Sequence, residues 1–133
     1  MAVCTLAIPP ETEQVRVARL VATAAARRLG MPEERIDDVR LAVGEAVGRA
    51  VVRHQRAGRP EPVRVRLVTQ GRGFAVEVAD SAAGIGPDES RFALDLIAGL
   101  APTVRLDEAS GSGSLVHMLW ADATGGDEGA DDA

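Results

Sequence analysis

Two stretches of the chain hold residues whose types and spacing could do chemistry. The first is LAVGEAVGRAVVRH at 41–54, in which Glu45, Arg49 and Arg53 recur at intervals of four and His54 closes the run. On a helix this spacing makes one line of charge. Glu45 stands N-terminal to Arg49, an acid-then-base pair that contributes about 0.2–0.5 kcal/mol on a solvated face. His54, at the helix end, reads as structural rather than as a ligand. The second stretch is VEVADSAAGIG at 76–86, a strand running into Asp80 and then a loop with Gly84. A carboxylate at a strand end can accept from a base amino group, and glycine lets backbone approach a phosphate closely. Asp and Gly also occupy such loops for turn-forming reasons alone, so both readings stand.

Other chemistries find little support. His54 and the single Cys4 lack the neighbours of a zinc cluster, so no metal site is expected. Ser81, Ser90, Ser110, Ser112 and Ser114 stand in no nucleophile elbow. GSGS at 111–114 precedes a strand instead of following one and opening a helix, which fails the dinucleotide context. Cys4, within the apolar run AVCTLAI, is expected to be a small buried thiol.

The elements that must position these residues follow from periodicity. Residues 3–8 are β-prone and end at Pro9-Pro10. Thr12 is placed to cap a helix over 13–29, with Val17, Leu20, Val21, Ala24 and Leu29 on its apolar face. Gly30 stops it, and Pro32-Glu33-Glu34 opens a second helix. That helix carries the stripe Ile36, Val39, Val43, Ala46, Val47, Ala50, Val51 and His54, and ends near 56–58. Val63, Val65 and Leu67 alternate with arginines, and Phe74, Val76 and Val78 alternate beyond the turn at 70–73, which predicts a hairpin. Residues 80–90 read as loop and 91–100 as a short helix with Phe92, Leu94, Leu96, Ile97 and Leu100 for packing. Two last strands are predicted at 103–106 and 114–120. Strand, two long helices, hairpin, helix, hairpin is the order of a two-layer α/β sandwich: a mainly antiparallel sheet covered on one face by helices.

Composition narrows the function classes. Residues 1–122 read as one domain and 123–133 as an acidic disordered tail. All 15 basic residues are Arg. The net charge of −5 comes from Asp122, Asp127, Glu128, Asp131 and Asp132, which leaves residues 1–121 balanced. With no net positive field and only Phe74, Phe92 and Trp120 as aromatics, nucleic acid is not an expected partner. No run of 18 apolar residues and no basic segment ahead of an apolar one occurs, so neither a membrane span nor a leader is expected. With one cysteine, a cytoplasmic location is the default.

The layout, with DDVRLAVGEAVGRAVVRH and FAVEVADSAAGIG in particular, resembles the anti-sigma-factor serine kinases of the Bergerat-type, histidine-kinase-like ATPase superfamily. The similarity covers about residues 3–120. The resemblance implies a domain that dimerises, binds a sigma factor and phosphorylates a serine of an anti-anti-sigma partner. It puts Glu45 at the glutamate that activates the attacking hydroxyl, Ala50 at the alanine of the same motif and Asp80 at the adenine-binding aspartate, with Gly84 at the second glycine that follows.

The departures fall in all three motifs. Arg49 stands where the family has a magnesium-binding Asn, and a guanidinium has donors but no acceptor for a metal. Ala82 replaces the first glycine, and Arg91 and Ala93 stand at the lid glycines. What the resemblance then implies is a regulator that binds an anti-anti-sigma-type protein, a sigma factor or both. Its nucleotide site (Asp80, Gly84, Arg49) is degenerate, it holds no resident cofactor, and ATP binding is at most weak. An active serine kinase using Glu45, and a structural homodimerisation module, are the alternatives.

Overall fold

The computed structural model describes residues 1–82, 87–109 and 113–125. β1 (Ala2–Ile8) leads through one 3-10 turn at Thr12–Gln14 into α1 (Val15–Leu29) and α2 (Glu33–Ala57). The hairpin β2 (Val63–Gln70) and β3 (Gly73–Asp80) follows, then α3 (Pro87–Ala98) and the hairpin β4 (Thr103–Ala109) and β5 (Gly113–Trp120). The strands lie in the order β1-β2-β3-β5-β4, and each neighbouring pair is antiparallel. The expected element order and sandwich class therefore hold.

Strand register explains the core. Leu6, Val65, Val78, Val116 and Leu106 form one row across the sheet, and Cys4, Leu67, Val76, Met118 and Val104 form the next. These residues share the parity that faces the helices. Phe74 and Trp120 complete the face at one end, their rings 6.0 Å apart. Across this face lies α2, whose predicted stripe from Ile36 to His54 is buried throughout. Gly30 and Gly58 take left-handed conformations at the ends of α1 and α2, with φ of 100° and 67°, where a side chain would be strained.

Several expectations are corrected. Thr12 makes no cap: α1 begins at Val15 after the 3-10 turn, with no side-chain hydrogen bond at its N-cap. The buried face of α1 is Val15, Ala18, Ala22 and Ala26, while Val17 and Leu20 are exposed. Both helices bury alanines at intervals of four, Ala18, Ala22 and Ala26 on α1 and Ala42, Ala46 and Ala50 on α2. Close approach of two helices selects small side chains there and turns the larger ones outward. α3 starts at Pro87, within the stretch read as loop, and Phe92 and Leu96 on it are exposed while Ile97 is buried.

Cys4 is exposed despite its inward parity. β1 is an edge strand, and a gap lined by Ala2, Cys4, Ala25, Leu29 and Leu67 separates its start from the end of α1. At the other terminus, packing continues past residue 122. Ala123 is fully buried and its N–H donates to the carbonyl of Arg72 at 2.8 Å, while the carbonyl of Asp122 accepts from Arg35. The remainder of the acidic tail, 126–133, lies outside the described residues.

Candidate functional site

Asp80 and Ser114 face each other across β3 and β5, one step beyond the apolar row of Val78 and Val116. Their parity sends both side chains into the helix layer, where the core would otherwise continue. Ser114 Oγ donates to Asp80 Oδ2 at 2.6 Å, and the N–H of Ala82 donates to Oδ1 at 3.0 Å. Two arginines of α2 complete the cluster. Arg53 donates from Nε to Asp80 Oδ2 at 3.0 Å and from Nη2 to the carbonyl of Ala82 at 2.9 Å. Arg49 donates from Nη1 to Ser114 Oγ at 3.0 Å, with the same nitrogen 3.6 Å from Asp80 Oδ2.

Arg49 and Arg53 are 7% and 5% exposed, which corrects the expectation of a solvated line of charge along α2. The line exists, but it faces the end of the sheet and α3. Arg49 also makes no pair with Glu45. Burial first, and the neighbouring Arg53 second, push the Arg49 guanidinium below its ordinary value, while Asp80 and Glu108 pull the other way.

Glu45 is half-buried and has no hydrogen bond or ion pair among the described residues. It lines a cleft of about 280 Å³ together with Thr12, Gly48, Arg49, Arg53 and Arg56, and Ala93 of α3 contributes to the wall. The structure thus brings Glu45, Arg49 and Ala93 to one cleft, and Arg53, which also lines it, is paired with Asp80. Arg91 is exposed, and Gly84 lies outside the described residues.

His54 is structural. Its Nε2 lies 3.0 Å from the N–H of Ser81, which can only donate, so Nδ1 carries the proton and donates to the carbonyl of Glu61 at 2.8 Å. The ring thereby ties the end of α2 to the residue after Asp80.

Sequence reasoning missed Arg53 and Ser114. The signal lay in parity: Ser114 is in phase with Val116, Met118 and Trp120, and Asp80 with Val76 and Val78. A polar residue in phase with a buried face needs an internal partner, and the charged line on α2 was the available source. Gly113 fixes the approach of the two strands. Its φ is 104°, and a methyl group built on it would overlap the carbonyl oxygen of Asp80.

Among the described residues no three of the His, Cys, Asp and Glu side chains are grouped to hold a metal ion, and no helix is long and apolar enough to cross a membrane. Comparison with curated protein sequences returned no match. The chain is similar to the crystal structure of the RsbU and RsbW domains of Rv1364c from Mycobacterium tuberculosis, with a TM-score of 0.72 and 16% identity. The similarity covers 91% of this chain and 32% of that one, so the chain spans about a third of that structure's length. At this identity the likeness speaks for the fold. The family model for the histidine kinase-like ATPase domain matches residues 8–120, and the chain therefore belongs to the histidine-kinase-like ATPase family.

Proposed function

We propose that the chain is an anti-sigma-factor-like regulator that acts in the cytoplasm by binding an anti-anti-sigma-type protein, a sigma factor or both, without phosphoryl transfer. The observation that carries this reading is the engagement of Asp80. Both of its oxygens accept hydrogen bonds from Arg53, Ser114 and Ala82. With its side chain only 1% exposed, this carboxylate does not meet an adenine amino group unless the cluster opens. Arg49, at the position where the family resemblance expects a metal ligand, offers only donors. The described residues therefore do not fit an ATP–magnesium complex. The family assignment and the likeness to a structure containing an RsbW domain support the regulatory half of the proposal.

The kinase alternative draws on one observation, the Glu45 carboxylate in the cleft, without a partner among the described residues. One set of measurements separates the two. Purified full chain is titrated with the sigma factors and anti-anti-sigma-type proteins of its source cell, and with ATP in the presence and absence of magnesium. The regulatory reading expects a protein partner bound at micromolar or tighter affinity and weak, magnesium-independent nucleotide binding. Strongly magnesium-dependent ATP binding, with label transfer to the partner abolished in Glu45→Gln, would reverse the order of the two readings. Failure to bind every such protein would sink the first.

A further inference from the structure

The helix layer carries a groove between α1 and α2 that the Asp80 cluster does not use. Arg16, Arg19 and Leu20 of α1 line it together with Arg40, Leu41 and Gly44 of α2, around a volume of about 420 Å³. Among the described residues Arg16 and Arg19 make no hydrogen bond or ion pair, and Arg40 is paired with Asp37 alone. The stem of Arg19 crosses the groove over Gly44, where an added methyl group would stand 3.1 Å from Cδ. A residue without a side chain thus lets this guanidinium lie against α2. Three arginines face two acids here, Asp37 and Glu45, so the described groove keeps an excess of positive charge.

The chain leaves its last described residues close to one end of this groove. Thr124 lies beside the turn between the helices, its Cγ2 3.9 Å from where a methyl group on Gly30 would be. Arg35 of α2 holds the carbonyl of Asp122 at 2.8 Å. From Gly30, Arg19 and Arg16 lie about 16 and 21 Å away along α1, and Arg40 lies about 8 Å past Arg35 along α2. Asp127 and Glu128 come two and three residues after Gly125, a reach of about 7–11 Å. Asp131 and Asp132 come six and seven residues after it, a reach of about 20–25 Å. The first acidic pair matches Arg40, and the second matches Arg19 and Arg16. Other arginines near the exit are engaged or turned away. Arg27 holds Glu33, Arg72 lies 3.8 Å from Asp122, and Arg28 lines the gap beside β1.

We propose that the acidic segment 126–133 of this chain docks along the α1–α2 groove, with Arg16, Arg19 and Arg40 as its counter-charges. Exposed ion pairs are individually weak. Tethering offsets this, because it holds the segment at a local concentration on the order of millimolar. The docked segment lies between the exposed Leu20 and Leu41 and covers a face of the helix layer that is otherwise open. The contact goes beyond the partner binding proposed above and does not depend on it.

The test compares amide NMR spectra of two full-length chains, the parent and one carrying Asp127→Asn, Glu128→Gln, Asp131→Asn and Asp132→Asn. In about 0.01 M salt the differences should centre on Arg16, Arg19, Leu20, Arg40 and Leu41. They should vanish in about 1 M sodium chloride, where screening acts within about 3 Å. In an Arg16→Gln, Arg19→Gln background the same four substitutions should no longer move the amides of α1. Differences confined to residues 121–125 and their neighbours at Gly30 and Arg35 would overturn the proposal. So would unchanged α1 and α2 amides, the outcome expected if the groove serves only another protein. Differences that grow with protein concentration would assign the contact to a second copy's segment and likewise overturn it. All of these variants change exposed side chains or residues 126–133, and the unmoved amides of the core report that the fold is retained.

Discussion

Arg53 Nε lies 3.0 Å from Asp80 Oδ2 inside the protein, a salt bridge in which both side chains are almost fully withdrawn from water. Arg53 also reaches the carbonyl of Ala82, so it spans the end of β3 and the start of the following loop. Arg49 touches the same carboxylate less closely and leaves two donors unused. The two arginines look equivalent in sequence, four residues apart on one helix, and are unequal in energy.

That inequality is measurable. Asp80→Asn removes the only buried carboxylate among the described residues from two guanidinium groups, and breaking a buried pair in this way costs about 3–5 kcal/mol. Arg53→Met leaves Asp80 with Ser114 and Arg49 and should cost less. Arg49→Met removes a desolvated charge with unmade bonds, and its stability should lie within about 1 kcal/mol of the parent or above it. Urea denaturation of the three variants in chloride buffer checks the order. Equal losses at positions 49 and 80 would contradict the account of the cluster.

The alanine rows of α1 and α2 give a second test. Ala22→Leu places a larger side chain in a fully buried position and should destabilise by about 1–3 kcal/mol through overpacking. Leu20→Gln, on a side chain 66% exposed, should change stability by less than about 0.5 kcal/mol. Thermal melts of the two single variants suffice. A stabilising Ala22→Leu would mean that the helices are not in close contact at that point.

Acid stability should report on Glu77. On the face of the sheet away from the helices, its carboxylate accepts from Arg66 Nη1 at 3.0 Å and lies 3.0 Å from Nδ1 of His117. Burial works to raise its pKa. The hydrogen bonds from Arg66 and His117 outweigh burial and hold it below the ordinary value. A depressed folded-state value contributes stability that is present above the unfolded carboxylate pKa of about 4.3 and is lost as pH falls through the folded value. Glu77→Gln should therefore melt lower than the parent at pH 7, with the difference shrinking below about pH 4. A constant difference down to pH 3 would remove Glu77 as its source.

Much of this fold was legible because α2 and the β2–β3 hairpin have a single dominant periodicity. Eight apolar or near-apolar positions mark the buried side of α2, and the alternation in VRVRLV leaves no choice of strand face. α1 was misphased because its core side is written in alanine. A hydropathy pattern favours Leu20 and Val17, whereas packing distance favours Ala18 and Ala22. Cys4 was misjudged because local pattern does not say which strand is at an edge. In the candidate site, the resemblance to the anti-sigma-factor kinases put Asp80, Glu45 and Arg49 together, while the residues read alone gave two separate stretches. Their wiring was not legible: whether Arg49 meets Glu45 on its own helix or Ser114 on a distant strand depends on tertiary contact alone. Gly84 lies outside the described residues.

The ionic cluster finally depends on a position that has no charge and no side chain. Gly113 lets the start of β5 lie against the Asp80 backbone, in a conformation that any other residue would strain. An alanine there would push the two strands apart at the Ser114–Asp80 hydrogen bond, now 2.6 Å long, and with it shift the anchor that Arg49 uses. Gly113→Ala should therefore lose more than about 1 kcal/mol of stability, although it touches none of the charged groups. The electrostatics of this site are a matter of mechanical tolerance, set to less than the width of a methyl group.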